Sequence, residues 1–304
     1  MYIEGMYLII GASLGSFRNI SLNKAIKIYS QLSDSLNLTS IEIRFEKEPR
    51  RPSSWYWEDL SDISRQLKNY EIKGAHLPFL YLNPISPNTR IKLESNHQIK
   101  AAISKAADMG MDYVVMHARG TAYGLTYQEQ FSQWIEQIIL LAEHAESESI
   151  LLTLENADFF HNLKGLTDAV KVINSKHLKI TLDMGHAYIK PITTPQMSPF
   201  LSITLRIIDA VSPTLLRYKA SFHEYKSLDN YFTLEHRLIA NVHLHDYNGY
   251  SDHLSLGRGK IDFSCLRQLE KNCCYKGPYT FEVNLNDHIA DFESNYIYLQ
   301  NLVK

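Results

Sequence analysis

Eight short apolar runs recur along the chain, and longer stretches with apolar residues at helical spacing separate them. Near-continuous apolar runs of this length are typical of parallel strands that are buried on both faces. The predicted strands are Tyr7–Gly11, Ser40–Phe45, Ile72–His76, Asp112–His117, Ile150–Glu155, Lys179–Asp183, Ala240–His245 and Pro278–Val283. The predicted helices include Leu22–Leu36, Trp55–Tyr70, Arg90–Met109, Tyr127–Glu146 and Leu163–Asn174. Eight strand–helix units in 304 residues favour an α/β fold that closes into a single (β/α)8 TIM barrel domain over residues 1–304.

One segment is longer than a strand–helix unit needs. Asp183 and Ala240 are separated by 56 residues, and the prolines at positions 191, 195, 199 and 213 interrupt any regular pattern there. We therefore predict a long insertion between strands 6 and 7, which could be a substrate lid or a contact in a homo-oligomer. The first strand leads into Gly11-Ala-Ser-Leu-Gly15-Ser, which lacks the glycine fingerprint of a dinucleotide site, and the sequence has no phosphate-binding P-loop.

Composition narrows the class of protein further. The chain has 31 Lys and Arg against 33 Asp and Glu, so it lacks the global basic field that attracts nucleic acid. It has three cysteines, and Cys273 and Cys274 are adjacent, which argues against a disulfide framework. The longest apolar run near the N-terminus, Met6–Ile10, is too short for a signal peptide or a membrane span. We expect a cytoplasmic protein with no membrane contact.

Ionisable residues stand at the ends of six consecutive predicted strands. The C-terminal strand ends of a barrel meet on one face, where catalytic residues lie. These residues are His76, His117, Glu155, Asp183, His243 with His245, and Glu282. His186 follows Asp183 by three residues, and Asp252 and His253 follow strand 7 closely, so these side chains belong to the same face.

Carboxylates and imidazoles crowded at one mouth need compensation, because like charges repel and burial disfavours ionisation. A divalent metal provides it. Mixed carboxylate and imidazole ligands suit Mn²⁺, Zn²⁺, Fe²⁺ or Co²⁺ better than Ca²⁺, and Mg²⁺ remains a further candidate. The alternative is that each residue is a polar strand cap bonded to loop amides. The other seven histidines lie outside such motifs and are interpreted as surface or structurally satisfied residues: His97, His144, His161, His177, His223, His236 and His288.

Four short motifs, in this order and spacing, resemble the xylose-isomerase-like TIM barrels. They are Leu154-Glu155-Asn156, Leu182-Asp183-Met-Gly-His186-Ala, Val242-His243-Leu-His-Asp246 and Asp252-His253-Leu-Ser-Leu-Gly257. This superfamily contains sugar isomerases and epimerases together with endonuclease IV. In its epimerase branch, the residues that match Glu155, Asp183, His243 and Glu282 hold one divalent metal.

The resemblance to endonuclease IV implies up to three zinc ions. The residues matching His76, His117 and Glu155 would hold one zinc, and those matching His186 and His253 would hold another together with an aspartate. That aspartate position is Ser251 here, and Asp252 is one residue late. The end of strand 2, which contains Glu42 and Arg44, looks more like that of the sugar isomerases. One metal is therefore the leading expectation.

Two enzymatic functions follow as hypotheses. The preferred one is a metal-dependent sugar or sugar-phosphate isomerase or epimerase, in which Glu155 and Glu282 exchange a proton with the substrate through an enediolate. In it, His245 could bind substrate hydroxyls and Arg258 a phosphate or carboxylate.

The alternative is a zinc phosphodiesterase that cleaves DNA at abasic sites. The segment from Glu48 to Trp57 mixes Arg50 and Arg51 with aromatic residues and could contact DNA. A barrel that only binds a ligand is a third alternative, against which the full set of metal-ligand residue types argues.

Overall fold

The computed structural model describes residues 8–46, 63–188, 223–285 and 287–303. Eight parallel strands follow one another around a closed barrel, and the first strand pairs with the eighth. The strands are β1 Ile10–Ser13, β2 Ser40–Arg44, β3 Ile72–His76, β4 Tyr113–Met116, β5 Leu151–Glu155, β6 Leu178–Asp183, β7 Ile239–Leu244 and β8 Tyr279–Phe281. The predicted α/β barrel is confirmed.

Helices cover the outer face of the barrel and begin where the sequence supplies capping groups. Ser21 accepts a hydrogen bond from the backbone of Lys24, and Thr126 and Glu129 form a reciprocal capping box. The helices are α1 Leu22–Leu36, α2 Thr89–Asp108, α3 Tyr127–Ser147, α4 Leu163–Ile173, α5 Met184–Tyr188, α6 Leu228–Glu235 and α7 Ala290–Val303. None of the helices in the described ranges is long and apolar enough to cross a membrane.

Two predicted elements differ from the structure. The first strand was expected at Tyr7–Gly11 but spans Ile10–Ser13, because backbone pairing with β2 and β8 sets its position rather than the apolar run. Residues 63–70 are the described part of the predicted helix Trp55–Tyr70, and residues 63–69 form turns instead of a helix. The rest of that helix, the segment Glu48–Trp57 with Arg50 and Arg51, and residues 189–222 of the insertion lie outside the described residues.

The barrel interior contains a polar layer beneath its C-terminal mouth. Side chains two residues apart on a strand share a face, so each of four strand-end residues has an inward polar neighbour one layer down. These neighbours are Thr153, Thr181, Asn241 and Thr280, all fully buried. Thr153 hydrogen-bonds Thr181 at 2.6 Å, and Thr280 donates to Asn241 at 3.0 Å. This layer gives the residues above it a hydrogen-bonded floor instead of an apolar one.

Candidate metal centre

The strand ends bring most of the predicted residues to one cavity of about 510 Å³ at the C-terminal mouth. Asp183, His243 and His245 are fully buried and are not among its lining residues. His76, Glu155 and Asp183 are the last residues of β3, β5 and β6. His117 and Glu282 directly follow β4 and β8 instead of belonging to them. The cavity is lined by Arg44, His76, Phe79, Leu80, His117, Arg119, Glu155, Asn156, Ala157, Asp158, His161, His186, Asp252, His253 and Glu282.

Four buried side chains form the centre of this arrangement. Ligand atoms of Glu155, Asp183 and His243 lie within 4.8 Å of one another. His243 Nδ1 is 3.5 Å from Glu155 Oε2 and 3.1 Å from Glu282 Oε2. Within the described ranges, Glu155 Oε1, Asp183 Oδ2 and His243 Nδ1 are buried and make no hydrogen bond of acceptable geometry, although His186 Nδ1 lies 3.0 Å from Glu155 Oε1. Buried polar atoms without partners are costly, and these carboxylate and imidazole donors fit a divalent ion.

Glu42 fixes which nitrogen of His243 faces the centre. Glu42 is fully buried in the middle of β2, and its Oε2 lies 3.0 Å from His243 Nε2. The same oxygen accepts hydrogen bonds from Tyr113 at 3.1 Å and Asn241 at 3.4 Å. Because a carboxylate can only accept, one His243 proton lies on Nε2, and Nδ1 faces Glu155 and Glu282. Nδ1 holds a second proton in the metal-free site, and its lone pair is available to a metal once that proton is lost. Sequence reasoning did not assign Glu42 a role, although a carboxylate between Ile41 and Ile43 was a signal for one.

Gly74 makes the contact between Tyr113 and Glu42 possible. Gly74 and Tyr113 pair in register on β3 and β4. A Cβ atom at position 74 would lie 2.3 Å from the Tyr113 ring. The glycine therefore leaves room for the tyrosine to lean across the interior and reach the carboxylate.

His76 and His117 form a second cluster that shares Glu155. His76 Nδ1 donates to the carbonyl of Leu77 at 3.1 Å, and His117 Nδ1 hydrogen-bonds Asp158 at 3.1 Å. Both Nε2 atoms therefore face inward and lie 3.2 Å apart, with His117 Nε2 3.0 Å from Glu155 Oε2. Two lone pairs at this distance repel unless a proton or a metal ion lies between them.

The third cluster contains Asp183, His186 and His245. The backbone N–H of His253 donates to His245 Nδ1 at 2.9 Å, so the proton of a neutral His245 ring lies on Nε2. That Nε2 faces Asp183 Oδ1 at 3.0 Å. His245, proposed from the sequence as a substrate contact, is fully buried and stacks on His253 with ring centroids 4.3 Å apart. It is therefore placed to orient Asp183.

Charge coupling dominates the electrostatics of the metal-free site. Burial favours the neutral ring, but the Glu155 and Asp158 carboxylates outweigh it and raise the pKa of His117 to about 10. For His186, burial is opposed by Asp183 and Glu155, and its pKa rises to about 9. Burial works against ionised Glu155 and Glu282, yet the neighbouring His117 and His243 hold each pKa well below its usual value. The carboxylates therefore attract positive charge, either protons or a metal ion.

The other predicted site residues lie around this centre or away from it. Asp252 and His253 line the cavity, and Asp252 Oδ1 is 3.3 Å from His253 Nδ1. Arg258 is exposed and is not among the lining residues. His161 lines the cavity although its sequence context gave no signal. Asp158 was also missed, because it lies in a short turn with a φ of 50° instead of at a strand end.

A family model described as a xylose isomerase-like TIM barrel matches residues 31–299. The chain belongs to this family. An uncharacterised protein of Methanocaldococcus jannaschii is 28% identical over 247 residues, which are 76% of this chain and 71% of that protein.

Solved structures share the whole barrel. A D-tagatose 3-epimerase-like protein is 24% identical with a TM-score of 0.66, covering 97% of this chain and 98% of that chain. The IolI protein with a bound zinc atom is 14% identical with a TM-score of 0.68, at the same coverage of 97% and 98%. Further structures of this fold are described as epimerases of sugars. At these identities the likeness shows the fold.

Proposed function

We propose that this protein is a divalent-metal-dependent isomerase or epimerase of sugars or sugar phosphates. The observation that carries the proposal is the approach of Glu155 and Glu282 to the same nitrogen, His243 Nδ1, at 3.5 and 3.1 Å. Their Oε2 atoms are thus at most 6.6 Å apart. Membership of the xylose isomerase-like family and the sugar epimerases of the same fold support this choice.

Four residues would hold the ion: Glu155, Asp183, His243 and Glu282. Glu42 fixes the tautomer of His243, and His245 faces Asp183, so two of the four ligands are oriented by buried partners. When bound, a divalent ion supplies positive charge that makes a carbon next to a carbonyl more acidic. We expect one ion here, and His76 and His117 give the chain a second place for one next to Glu155.

Glu155 and Glu282 are the proposed acid–base pair. In the metal-free site, neighbouring histidines lower the pKa of both carboxylates. In the loaded site the bound ion would supply that positive charge, so both groups would stay ionised and able to accept a proton. One would take the proton from the carbon next to the carbonyl, and the other would return a proton to that carbon or its neighbour. Both carboxylates line the cavity, so a proton that one of them holds can exchange with solvent before it is returned to carbon.

The reaction is tested by turnover in D₂O. Metal-loaded protein should place deuterium on carbon in a ketose, as read by NMR, and both chelation and Glu155→Gln should abolish the incorporation. The same preparations are incubated with a duplex that contains one abasic site. The contrary result is that the duplex is cut in a reaction that needs both the metal and Glu155, while no sugar acquires carbon-bound deuterium. That result would replace this proposal with the phosphodiesterase, which the His76–His117 cluster also suits.

A further inference from the structure

The end of β2 contributes a cation, whereas the neighbouring strand β3 ends in the metal-ligand candidate His76. Arg44 is the last residue of β2 and pairs in register with His76 at the end of β3. It is only 6% exposed and lines the cavity. A fixed guanidinium beside a site that collects positive charge is unfavourable unless an anion lies nearby.

Glu46 supplies negative charge beside Arg44 and is also hydrogen-bonded to the backbone. Its carboxylate accepts hydrogen bonds from the backbone N–H groups of Phe79 and Leu80, in the loop after β3. The distance from its Oε2 to Arg44 Nη2 is 3.9 Å, which exceeds hydrogen-bonding length. Glu46 therefore lies close enough to Arg44 to balance its charge.

A second arginine reaches the same part of the cavity from β4. Arg119 follows His117 by two residues, is exposed, and lines the cavity. The guanidinium carbons of Arg44 and Arg119 lie 5.1 and 5.4 Å from the centroid of the Phe79 ring, so they are at most 10.5 Å apart. Phe79 in turn stacks on His117 at 4.3 Å. Cation–π contact with one ring holds both cations on the side of the centre where His76 and His117 lie.

We propose that Arg44 and Arg119 form a subsite for an anionic group, a phosphate or a carboxylate, at the end of the substrate remote from its carbonyl. This inference rests on the proposed function, which places the carbonyl end at Glu155 and Glu282. Planar guanidinium groups match the oxygens of phosphate and carboxylate in pairs of hydrogen bonds, and the cavity supplies two such groups at one end. The substrate class is then a sugar phosphate or a sugar acid. Arg258, the anion-binding candidate from the sequence, is not a cavity-lining residue and does not take part.

Binding of matched sugars to the metal-loaded protein tests the subsite. The probes are D-fructose and D-xylulose, each free and terminally phosphorylated, and D-fructuronate as the carboxylated counterpart of D-fructose, with Kd measured by calorimetry. The phosphorylated or the carboxylated probes should bind more tightly than the neutral ones. Whichever of the two groups increases the affinity more is the anion that the subsite prefers. Arg44→Gln and Arg119→Gln should each reduce that preference about 10- to 100-fold, the loss expected for hydrogen bonds to a charged group.

Two controls separate binding from a structural role. Arg237→Gln removes the same charge from an exposed arginine before β7, at the opposite end of the barrel, and should leave the preference unchanged. Arg44→Lys keeps the charge without the fork and should restore only part of the preference. A purely structural role for Arg44 would weaken neutral and charged probes equally, and that result would overturn the subsite.

The outcomes also separate the subsite from the reaction. If neutral sugars bind and exchange carbon-bound deuterium as well as charged ones do, the subsite is wrong and the isomerase stands. If charged sugars bind through the two arginines without carbon exchange, the subsite stands and the isomerase is wrong. If no sugar binds, both are wrong.

Discussion

Replacing Glu42 with Gln should weaken metal binding although Glu42 is not a proposed ligand. All three hydrogen bonds to Glu42 reach Oε2, from His243, Tyr113 and Asn241, and Oε1 has no partner within the described ranges. The glutamine oxygen can therefore take the place of Oε2, and its amide group would lie unpartnered at the position of Oε1. The variant keeps the shape of the side chain but loses its negative charge. That charge favours the Nε2–H form of His243 and makes Nδ1 a better metal ligand.

The expected loss of metal affinity is about 10- to 100-fold, or about 1.4–2.7 kcal/mol, as for other buried partners of ligating histidines. Calorimetric titration of Mn²⁺ or Zn²⁺ into chelator-treated protein measures it. Glu270→Gln is the matched control, since Glu270 is also a buried carboxylate that accepts from a tyrosine, Tyr279, at 2.9 Å but lies outside the cavity. Both variants should lose some stability. Unchanged metal affinity in Glu42→Gln would refute the role given to the Glu42–His243 contact.

Three further changes have defined outcomes. Glu155→Gln should abolish turnover more completely than metal binding, because glutamine keeps an oxygen but cannot take a proton, whereas Asp183→Asn should mainly weaken metal binding. Steady-state rates and the metal content of each variant measure these effects. A near-normal rate in Glu155→Gln would exclude Glu155 as the base. Gly185→Ala places a Cβ 1.8 Å from His245 and should cost about 1–3 kcal/mol in the free energy of unfolding together with metal affinity; denaturation at wild-type stability would contradict this. Because the His117 pKa is raised from 6.5 to about 10, its stabilising contribution is complete below pH 6.5 and is lost as pH rises through 10. The melting temperature of chelated protein should therefore fall as pH rises from 6.5 to 10, and that of metal-loaded protein should fall less. Equal falls in the two melting temperatures would count against the site.

The sequence was sufficient for the barrel and for the residues at its mouth because both depend on local signals. An ionisable residue that closes an apolar run, such as Glu155 or Asp183, is visible without any structure, and parallel strands bring such residues to one face. The position of β1 was not visible in this way, since its buried Ser13 is polar and its limits depend on pairing with distant strands.

The missing parts of the site depend on contacts between distant residues. Nothing local to Glu42 reveals that it meets His243, which is 201 residues away. Arg119 and Phe79 meet across two loops, so neither position predicts the other. His161 follows no apolar run and reaches the cavity through the turn that contains Asp158. Such residues are found only when the fold has brought the loops together.

The convergence of Glu155, Asp183, His243 and Glu282 on one ion is tested most directly by anomalous diffraction from crystals soaked in Mn²⁺ or Zn²⁺. The expected result is a peak within about 2.0–2.3 Å of a side-chain oxygen or nitrogen from each of the four residues. A second, weaker peak between His76 and His117 would add a metal without changing this result. An ion bound elsewhere, or any two of the four side chains more than about 3 Å from it, would contradict the proposed centre.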